Sequence, residues 1–554
     1  MINTPGINSY FKQYQTGVQP QNKSMPVNQS QTSAKTPAHT QTLTTPPEYS
    51  KPDSTIHTSW LYVNDIHGKM TNMERIHNIA QEFDRIPAEV YSANFFTQKN
   101  ITSPVHKFKV ASGDIILGAN YLHNKVASKF MDWTGFIAAT IGNHELDVAK
   151  PDDLAKLIDD ANCNMLSINL EVDKNSPMYS RIKKSMIVNC GNQKVGLIGI
   201  SPSDMLERGK MNATLKEFSI KDLDTTVQLL KDEVKNLQSQ GVNIIALLSH
   251  SGNKNDKRIA KEVQGVDLIF GAHTHELITG IKEGENLFYS KTGEPVIITQ
   301  AGQDGEAMGI LNVDFDQNGV IKKAQNNIIK TRTFNRPLYI KDTVESILGK
   351  PETIGKVKSA PHPPEDRLVE SNPHAYIIAD AMRSELGTDI SILNSGNIRG
   401  SFSEGPIDTR LISDITPFED KMWVLSLTEK QIVDSVKVGL KSLTTPTHKP
   451  GILYVSGLKY KANKQGELLE MEFIDKNNQT HKIDINNPDN NKKYTVACDD
   501  FYATGGNGYL KADNLDEIVL KKYPIDKDKL ACEHIKKLQQ PIEIKEDNRI
   551  VITD

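Results

Sequence analysis

Five times between residues 60 and 276 a short apolar run breaks off into a cluster of imidazole, carboxylate or amide side chains. The segments read "WLYVNDIHG", "FKVASGD", "FIAATIGNHELD", "IIALLSHSG" and "VDLIFGAHTHE". Each apolar run has the length and composition of a strand, as does a further run, "PVIIT". Buried polar groups are costly unless something satisfies them. Polar clusters recurring at strand ends therefore need either a local cap each or one shared partner. Taken alone, "IGNHELD" fits a helix start, with Asn143 as N-cap and acids in the first turn. Recurrence makes capping a poor account of the whole set.

The clusters supply Asp65, His67, Asp114, Asn143, His144, His250, His273 and His275. Residues two apart on a strand point to the same face, so Asp65 with His67, and His273 with His275 across a bend, can grip one ion. Carboxylate, imidazole and amide oxygen suit borderline divalent metals such as Mn²⁺, Zn²⁺ or Fe²⁺. No thiolate belongs to the set, which argues against a structural zinc site. Two divalent ions and two aspartates leave a net charge of about +2, suited to an anionic substrate plus hydroxide. Two ions about 3.5–4 Å apart polarise a phosphoryl oxygen and bring a bridging water's pKa close to neutrality.

The chain around these clusters divides by composition. Residues 1–56 are rich in Gln, Asn, Ser, Thr and Pro and too poor in apolar groups to offset the entropy of ordering, so a disordered polar leader is expected. From 57 to 335 strands alternate with amphipathic helices, the signature of an α/β domain with both sheet faces covered. One such helix places Val227, Leu230, Val234 and Leu237 on a single face and stops at Gly241. Residues 336–350 read as a linker, and 351–554 as a second, smaller α/β domain. A formal net charge of −4 gives no polybasic signature of nucleic-acid or anionic-membrane binding, which disfavours a nuclease. No apolar run is long enough to span a bilayer, and residues 1–24 lack the basic-then-apolar order of a signal peptide. The four cysteines are widely spaced with no C-x-x-C pair, so neither a disulfide scaffold nor a zinc ribbon is expected.

The ordered set Asp65-x-His67, Gly113-Asp114, Gly142-Asn143-His144-Glu145, His250 and Gly271-x-His273-x-His275 resembles the calcineurin-like metallophosphoesterase family. The resemblance implies a four-layer α/β/β/α sandwich and two divalent ions, from among Mn²⁺, Zn²⁺, Co²⁺ and Fe²⁺. Asp65, His67, Asp114 and His275 would hold one ion, and Asp114, Asn143, His250 and His273 the other, with Asp114 bridging. His144 would face the phosphate rather than a metal, with Asp147 orienting its ring, and Glu145 would be structural.

In the second domain "NSGNIRG", "ITPFEDKMWVLSLT" and "DDFYATGGNGY" resemble the signature stretches of the 5′-nucleotidase C-terminal domain. That resemblance implies a small-molecule nucleotide substrate, most simply a nucleoside 5′-monophosphate, clamped between Phe418 and Phe501. Arg367 and Arg399 would hold the phosphate, and Asn394 and Asn507 would belong to the same binding surface. Stacking holds a base at about 1–3 kcal/mol without reading its identity strongly, and arginine's planar fork suits phosphate oxygens. Asn507 stands where the family has Asp, which exchanges a charge-assisted bond to ribose for a weaker neutral one. "ESNPHAY" also departs from the family's Asn-Met/Leu-Gly helix opening, although Pro373 suits the first helical position.

The resemblance further implies a hinge near residues 336–351, since relatives rotate about this junction. Most relatives are periplasmic or surface-attached. Sequence alone leaves open a 2′,3′-cyclic-nucleotide phosphodiesterase with 3′-nucleotidase activity, a nucleotide-sugar diphosphatase and a sulfur-ester hydrolase. A non-catalytic binding protein would be expected to have lost ligands, yet all seven are present. Oligomeric state is not legible.

Overall fold

The computed structural model describes residues 55–85, 105–118, 120–204, 213–333, 340–445, 450–512 and 514–554. The polar leader expected over 1–56 lies almost wholly outside them.

Two β-sheets dominate the first domain. A seven-stranded sheet runs in the order 321–330, 307–315, 56–63, 105–111, 138–140, 164–166 and 182–183. A six-stranded sheet runs 287–289, 295–299, 268–270, 244–249, 193–200 and 185–190. Strands Ile56–Val63, Val105–Ala111, Ala138–Thr140 and Asn164–Leu166 pair in parallel, as do Gln193–Ile200, Ile244–Ser249, Leu268–Phe270 and Pro295–Thr299. Parallel pairing sends their carboxyl ends, and the polar clusters that follow, to one edge of each sheet.

The near-continuous apolar strands follow from burial on both faces. Along Ile56–Val63, Trp60 and Tyr62 enter the core between the sheets, while Leu61 and Val63 face the helices outside. Ile245 and Leu247 likewise face outward to helices, with Ala246 and Leu248 turned inward. Between the sheets Trp60 stacks on Phe108 at 4.3 Å, and Phe270 fits against both Trp60 and Tyr62 at 5.4 and 5.3 Å. Gly309 lies flat against the Tyr62 ring, where an added Cβ would fall 1.9 Å from a ring carbon.

Helices Met70–Arg85, Tyr121–Thr134 and Pro151–Ala161 cover the outer face of one sheet, and Leu223–Ser239 and Asn253–Glu262 that of the other. The result is the expected four-layer sandwich. Leu223–Ser239 begins at Asp222, whose side chain accepts from the Thr225 N–H at 2.8 Å, and buries Val227, Leu230, Val234 and Leu237. Gly241, with φ of 79°, turns the chain away.

The stretch expected as a linker over 336–350 holds a helix, Lys341–Leu348. Val344 is buried in the first domain's core with Ile347 and Leu348 packed beside it, so apolar burial draws this segment onto the first domain. Beyond it a five-stranded sheet runs 453–456, 390–394, 493–499, 421–428 and 519–526, accompanied by a four-stranded and a three-stranded sheet around one core. Pro373 opens helix Pro373–Leu386, capped by Asn372 accepting from the His374 N–H at 3.1 Å.

Candidate functional site

The strand-end loops of the first domain are stitched together before any ligand is considered. The N–H groups of Asp65, His67 and Gly68 donate to the carbonyls of Gly113, Asp114 and Ile115 at 2.9–3.0 Å. Glu145, wholly buried, accepts from the N–H groups of Asp114, Ile115 and Gly142 at 2.8–2.9 Å. This gives Glu145 a structural place: it holds the "SGD" loop against the "IGNHELD" turn. An added Cβ on Gly142 would fall 2.2 Å from Asp114 Oδ1, so only glycine admits that carboxylate.

Within this frame the backbone takes a conformation that non-glycine residues rarely adopt. Asp65, His67, Asp114, His273 and His275 all have φ between 49° and 75°. Such left-handed residues cost on the order of 1–3 kcal/mol each and persist where surrounding contacts over-determine them. Here the strain turns five side chains inward to one place.

Their polar atoms meet at short range. Asp114 Oδ2 lies 3.7 Å from His67 Nε2 and 3.1 Å from His250 Nε2. Asp65 Oδ1 lies 3.9, 3.7 and 3.4 Å from the Nε2 atoms of His67, His250 and His275. Three overlapping groups, Asp65–His67–His275, His67–Asp114–His144 and Asp65–Asp114–His250, each bring their ligand atoms within 4.8 Å. The His273 ring packs 5.1 Å from that of His250, with its Nε2 3.9 Å from Asp204 Oδ2.

Which ring nitrogen faces inward is decided by what holds the other. His67 Nδ1 bonds Asp304 Oδ1 at 2.9 Å, and His250 Nδ1 donates to the Ser112 carbonyl at 2.6 Å. His144 Nδ1 bonds Asp147 Oδ2 at 2.7 Å, the pairing expected from the sequence. Asp65 Oδ1, His67 Nε2, Asn143 Oδ1 and His250 Nε2 are buried and make no hydrogen bond. Several orphaned buried atoms at one point are what a bound cation would satisfy, and this donor set of carboxylate, imidazole and amide oxygen fits a divalent ion.

The charges respond to the crowding. Burial alone would lower the histidine pKa values, but the Asp114 and Asp304 carboxylates outweigh it at His67, raising it to about 9. Asp114 and Asp65 likewise outweigh burial at His250, raising it to about 10. Burial would raise both aspartates, yet the His250 charge and the other imidazoles hold Asp65 low and Asp114 well below the usual carboxylate range. The site is thus a nest of buried anions balanced by cations.

Across from it stands the second domain. A cavity of about 300 Å³ is lined by Asp114, Asn143, His144, Asp147, His273 and His275 on one side and by Arg367, Leu368 and Arg399 on the other. Burial and the neighbouring Arg367 charge pull the Arg399 pKa down to about 9, and Arg367 Nε is buried with no hydrogen-bond partner. Two like-charged guanidinium groups face one cavity, an arrangement that an anion between them would relieve.

The other expected substrate residues stand apart from this cavity. Phe418 lies under the Arg399 guanidinium, 5.5 Å from it, and Phe501 is covered by Gly506, whose added Cβ would fall 2.5 Å from the ring. Asn394 is buried and accepts from Asn397 Nδ2 at 2.6 Å. Asn507, in the left-handed region, donates to the Pro450 carbonyl at 3.1 Å.

Three residues of the site carried no sequence expectation. Asp304, which bonds His67, follows the strand "PVIIT" at Pro295–Thr299. Its φ is 56°. Burial would raise its pKa, but the bond from His67 and the Lys69 charge hold it low. Asp204 follows strand Gln193–Ile200. Buried Lys69, two residues past His67, donates across the domain boundary to the Asp414 carbonyl.

The chain matches two family models, "Calcineurin-like phosphoesterase" over residues 60–277 and "5′-nucleotidase, C-terminal domain" over residues 353–513. It is 28% identical over 499 residues to a trifunctional nucleotide phosphoesterase of Bacillus subtilis, YfkN, covering 80% of this chain but only 32% of that protein's length. It is 24% identical over 530 residues to an NAD 5′-nucleotidase of Haemophilus influenzae, covering 81% of this chain and 85% of that one. Among solved structures, a 5′-nucleotidase precursor from Thermus thermophilus shares the fold with a TM-score of 0.68 at 21% identity, over 90% of this chain and 99% of that chain.

Proposed function

We propose that the chain, which matches a calcineurin-like phosphoesterase model over residues 60–277 and a 5′-nucleotidase C-terminal model over residues 353–513, hydrolyses nucleotide phosphoesters, most simply a nucleoside 5′-monophosphate to nucleoside and phosphate. The observation that carries this reading is the single cavity with the metal-type loops on one wall and two arginines on the other. A phosphate is the ligand that answers both walls at once.

In this reading Asp65, His67, Asp114 and His275 hold one divalent ion and Asp114, Asn143, His250 and His273 a second, with Mn²⁺, Zn²⁺, Co²⁺ and Fe²⁺ as candidates. When bound, such ions polarise phosphoryl oxygens and make water nucleophilic near neutral pH. Asp114 Oδ2, 3.7 Å from His67 Nε2 and 3.1 Å from His250 Nε2, would be the carboxylate shared by the two ligand sets in this assignment. His144, with Nδ1 engaged by Asp147, keeps Nε2 for the substrate and acts on the phosphate and the departing ester oxygen. Arg367 and Arg399 hold the phosphate's remaining oxygens. Phe418 and Phe501 serve the base and Asn394 and Asn507 the surrounding surface, which requires the second domain to shift relative to this arrangement as substrate is taken up.

The test is a panel of AMP, UMP, dAMP, 2′,3′-cyclic AMP, ADP, ATP and UDP-glucose, each with Mn²⁺, Zn²⁺, Co²⁺ or chelator. Phosphate release from the monophosphates, abolished by chelator and restored by one of the ions, is the expected result. No hydrolysis of any member with any ion would overturn the reading and favour a binding protein.

A further inference from the structure

One edge of the second domain's main sheet gathers four strand ends. Strand Lys493–Asp499 runs parallel to Ile390–Asn394 and antiparallel to Lys421–Thr428, which runs antiparallel to Val519–Asp526. Met422 stands opposite Asp499 and Lys421 opposite Asp526, so these ends share an edge. There the chain buries a cation. Lys527, wholly buried, donates from Nζ to Asp420 Oδ2 at 2.6 Å and to Asp499 Oδ2 at 3.4 Å. Burial alone would lower the lysine pKa, but the two carboxylates outweigh it and keep the ammonium charged. Asp499 extends the contact. Its Oδ1 accepts from the Tyr502 N–H at 2.9 Å, and its Oδ2 also accepts from Asn397 Nδ2, which donates to Asn394 Oδ1 at 2.6 Å.

Local structure gives no reason for this lysine. It is the first residue of helix Lys527–Leu538, where the helix dipole disfavours a cation, and Asp526 at the cap position makes no side-chain bond to the helix. Asp526 instead accepts from Lys421 and, at 3.1 Å, from Lys529. Nor does stability account for it, since a buried ion pair is often no better than apolar residues of the same volume. What its two partners share is their spacing from an aromatic ring. Phe418 stands two residues before Asp420, and Phe501 two residues after Asp499.

We infer that Lys527 is a positioning residue for the nucleoside: its buried ammonium fixes the spacing between the loops that carry Phe418 and Phe501, and through Asp499 and Asn397 it holds Asn394 beside them. The inference rests on the nucleotide reading given above and deepens it by naming what sets the base-side geometry. Without the ammonium, the Asp420 and Asp499 carboxylates that face it would repel each other and part the two loops. The phosphate, assigned to the metal-type loops with Arg367 and Arg399, would keep its own partners.

The test uses the full-length wild type, Lys527→Met, which keeps an unbranched side chain without its charge, and Asp420→Asn, all assayed with the ion that serves AMP best. KM and kcat for AMP are measured together with inhibition by inorganic phosphate. Lys527→Met should raise KM for AMP about tenfold or more, with kcat within about threefold and the phosphate inhibition constant within about twofold of wild type, because the lost tie serves binding rather than chemistry. Asp420→Asn, at the more exposed of the two carboxylates, should act in the same direction to a smaller degree, and it decides the matter if Lys527→Met does not fold. A purely structural role gives a different pattern: kcat falls with KM unmoved, or KM and the phosphate constant rise together. Either pattern, or unchanged kinetics in the variants that fold, overturns the inference while the nucleotide reading stands. If the wild type hydrolyses no nucleotide with any ion, the nucleotide reading has failed, and the inference with it.

Discussion

The metal-side loops of the first domain and the nucleotide-side loops of the second are built on different principles. On the metal side the protein supplies almost the whole arrangement itself. Glu145 pins two loops, Asp304 and Ser112 fix two imidazoles, and left-handed backbone at five residues is held by parallel strands on either side. From the second domain Arg367, Leu368 and Arg399 line the shared cavity, while Phe418 lies under Arg399, Phe501 packs against Gly506 and Asn507 bonds the Pro450 carbonyl. Chemistry is thus preorganised within one domain, where geometry must be exact to fractions of an ångström. Under the proposed function, substrate grip would be left to the relation between the two domains.

That contrast can be broken at graded cost. His144→Ala should reduce kcat by about 10²–10⁴-fold, with bound metal unchanged by elemental analysis. Loss of metal together with activity would make His144 a ligand and remove the distinction between it and its neighbours. Asp304→Ala should weaken metal affinity by about 10–100-fold, measured by titration of the metal-free protein, with activity recoverable at high metal concentration. An unchanged affinity would mean that the orienting bond to His67 is dispensable and the metal side less preorganised than its geometry implies.

Arg399→Ala should leave metal content intact and raise KM for AMP, since a charged hydrogen bond contributes about 1.5–3 kcal/mol. A comparable loss of bound metal would couple the two sides more tightly than described. Asn507→Asp should have the smallest effect, lowering KM for AMP relative to dAMP by a few-fold as the neutral amide becomes a charged acceptor. Equal KM values before and after would detach Asn507 from ribose recognition.

The legibility of these two regions in the sequence also differs, for a physical reason. Asp65, His67, Asp114, Asn143, His144, His250, His273 and His275 follow strands whose parallel pairing sends their ends to one edge, so each was visible as a polar break in an apolar run. Asp147 was legible only through the family resemblance, which implies an Asp three residues after His144. Asp304 was not, because its partner His67 lies 237 residues away and nothing local to Asp304 marks it. Lys69 was not legible either, because its acceptor, the Asp414 carbonyl, belongs to the other domain.

The order of apolar runs and the residue types that end them were enough to indicate an α/β domain with both sheet faces covered and a cluster of metal-type residues at strand ends, and the family resemblance added the four-layer sandwich. Even the buried helix face of Val227, Leu230, Val234 and Leu237 was readable in that way. Only the tertiary structure decided which ring nitrogen each histidine turns inward, since that depends on carboxylates and carbonyls far off in the chain. It alone decided that helix Lys341–Leu348 packs on the first domain. It alone decided that Arg367 and Arg399, but neither phenylalanine, stand over the metal-type loops. Contacts between distant segments carry no local period, so they exist only once the chain has folded and brought those segments together.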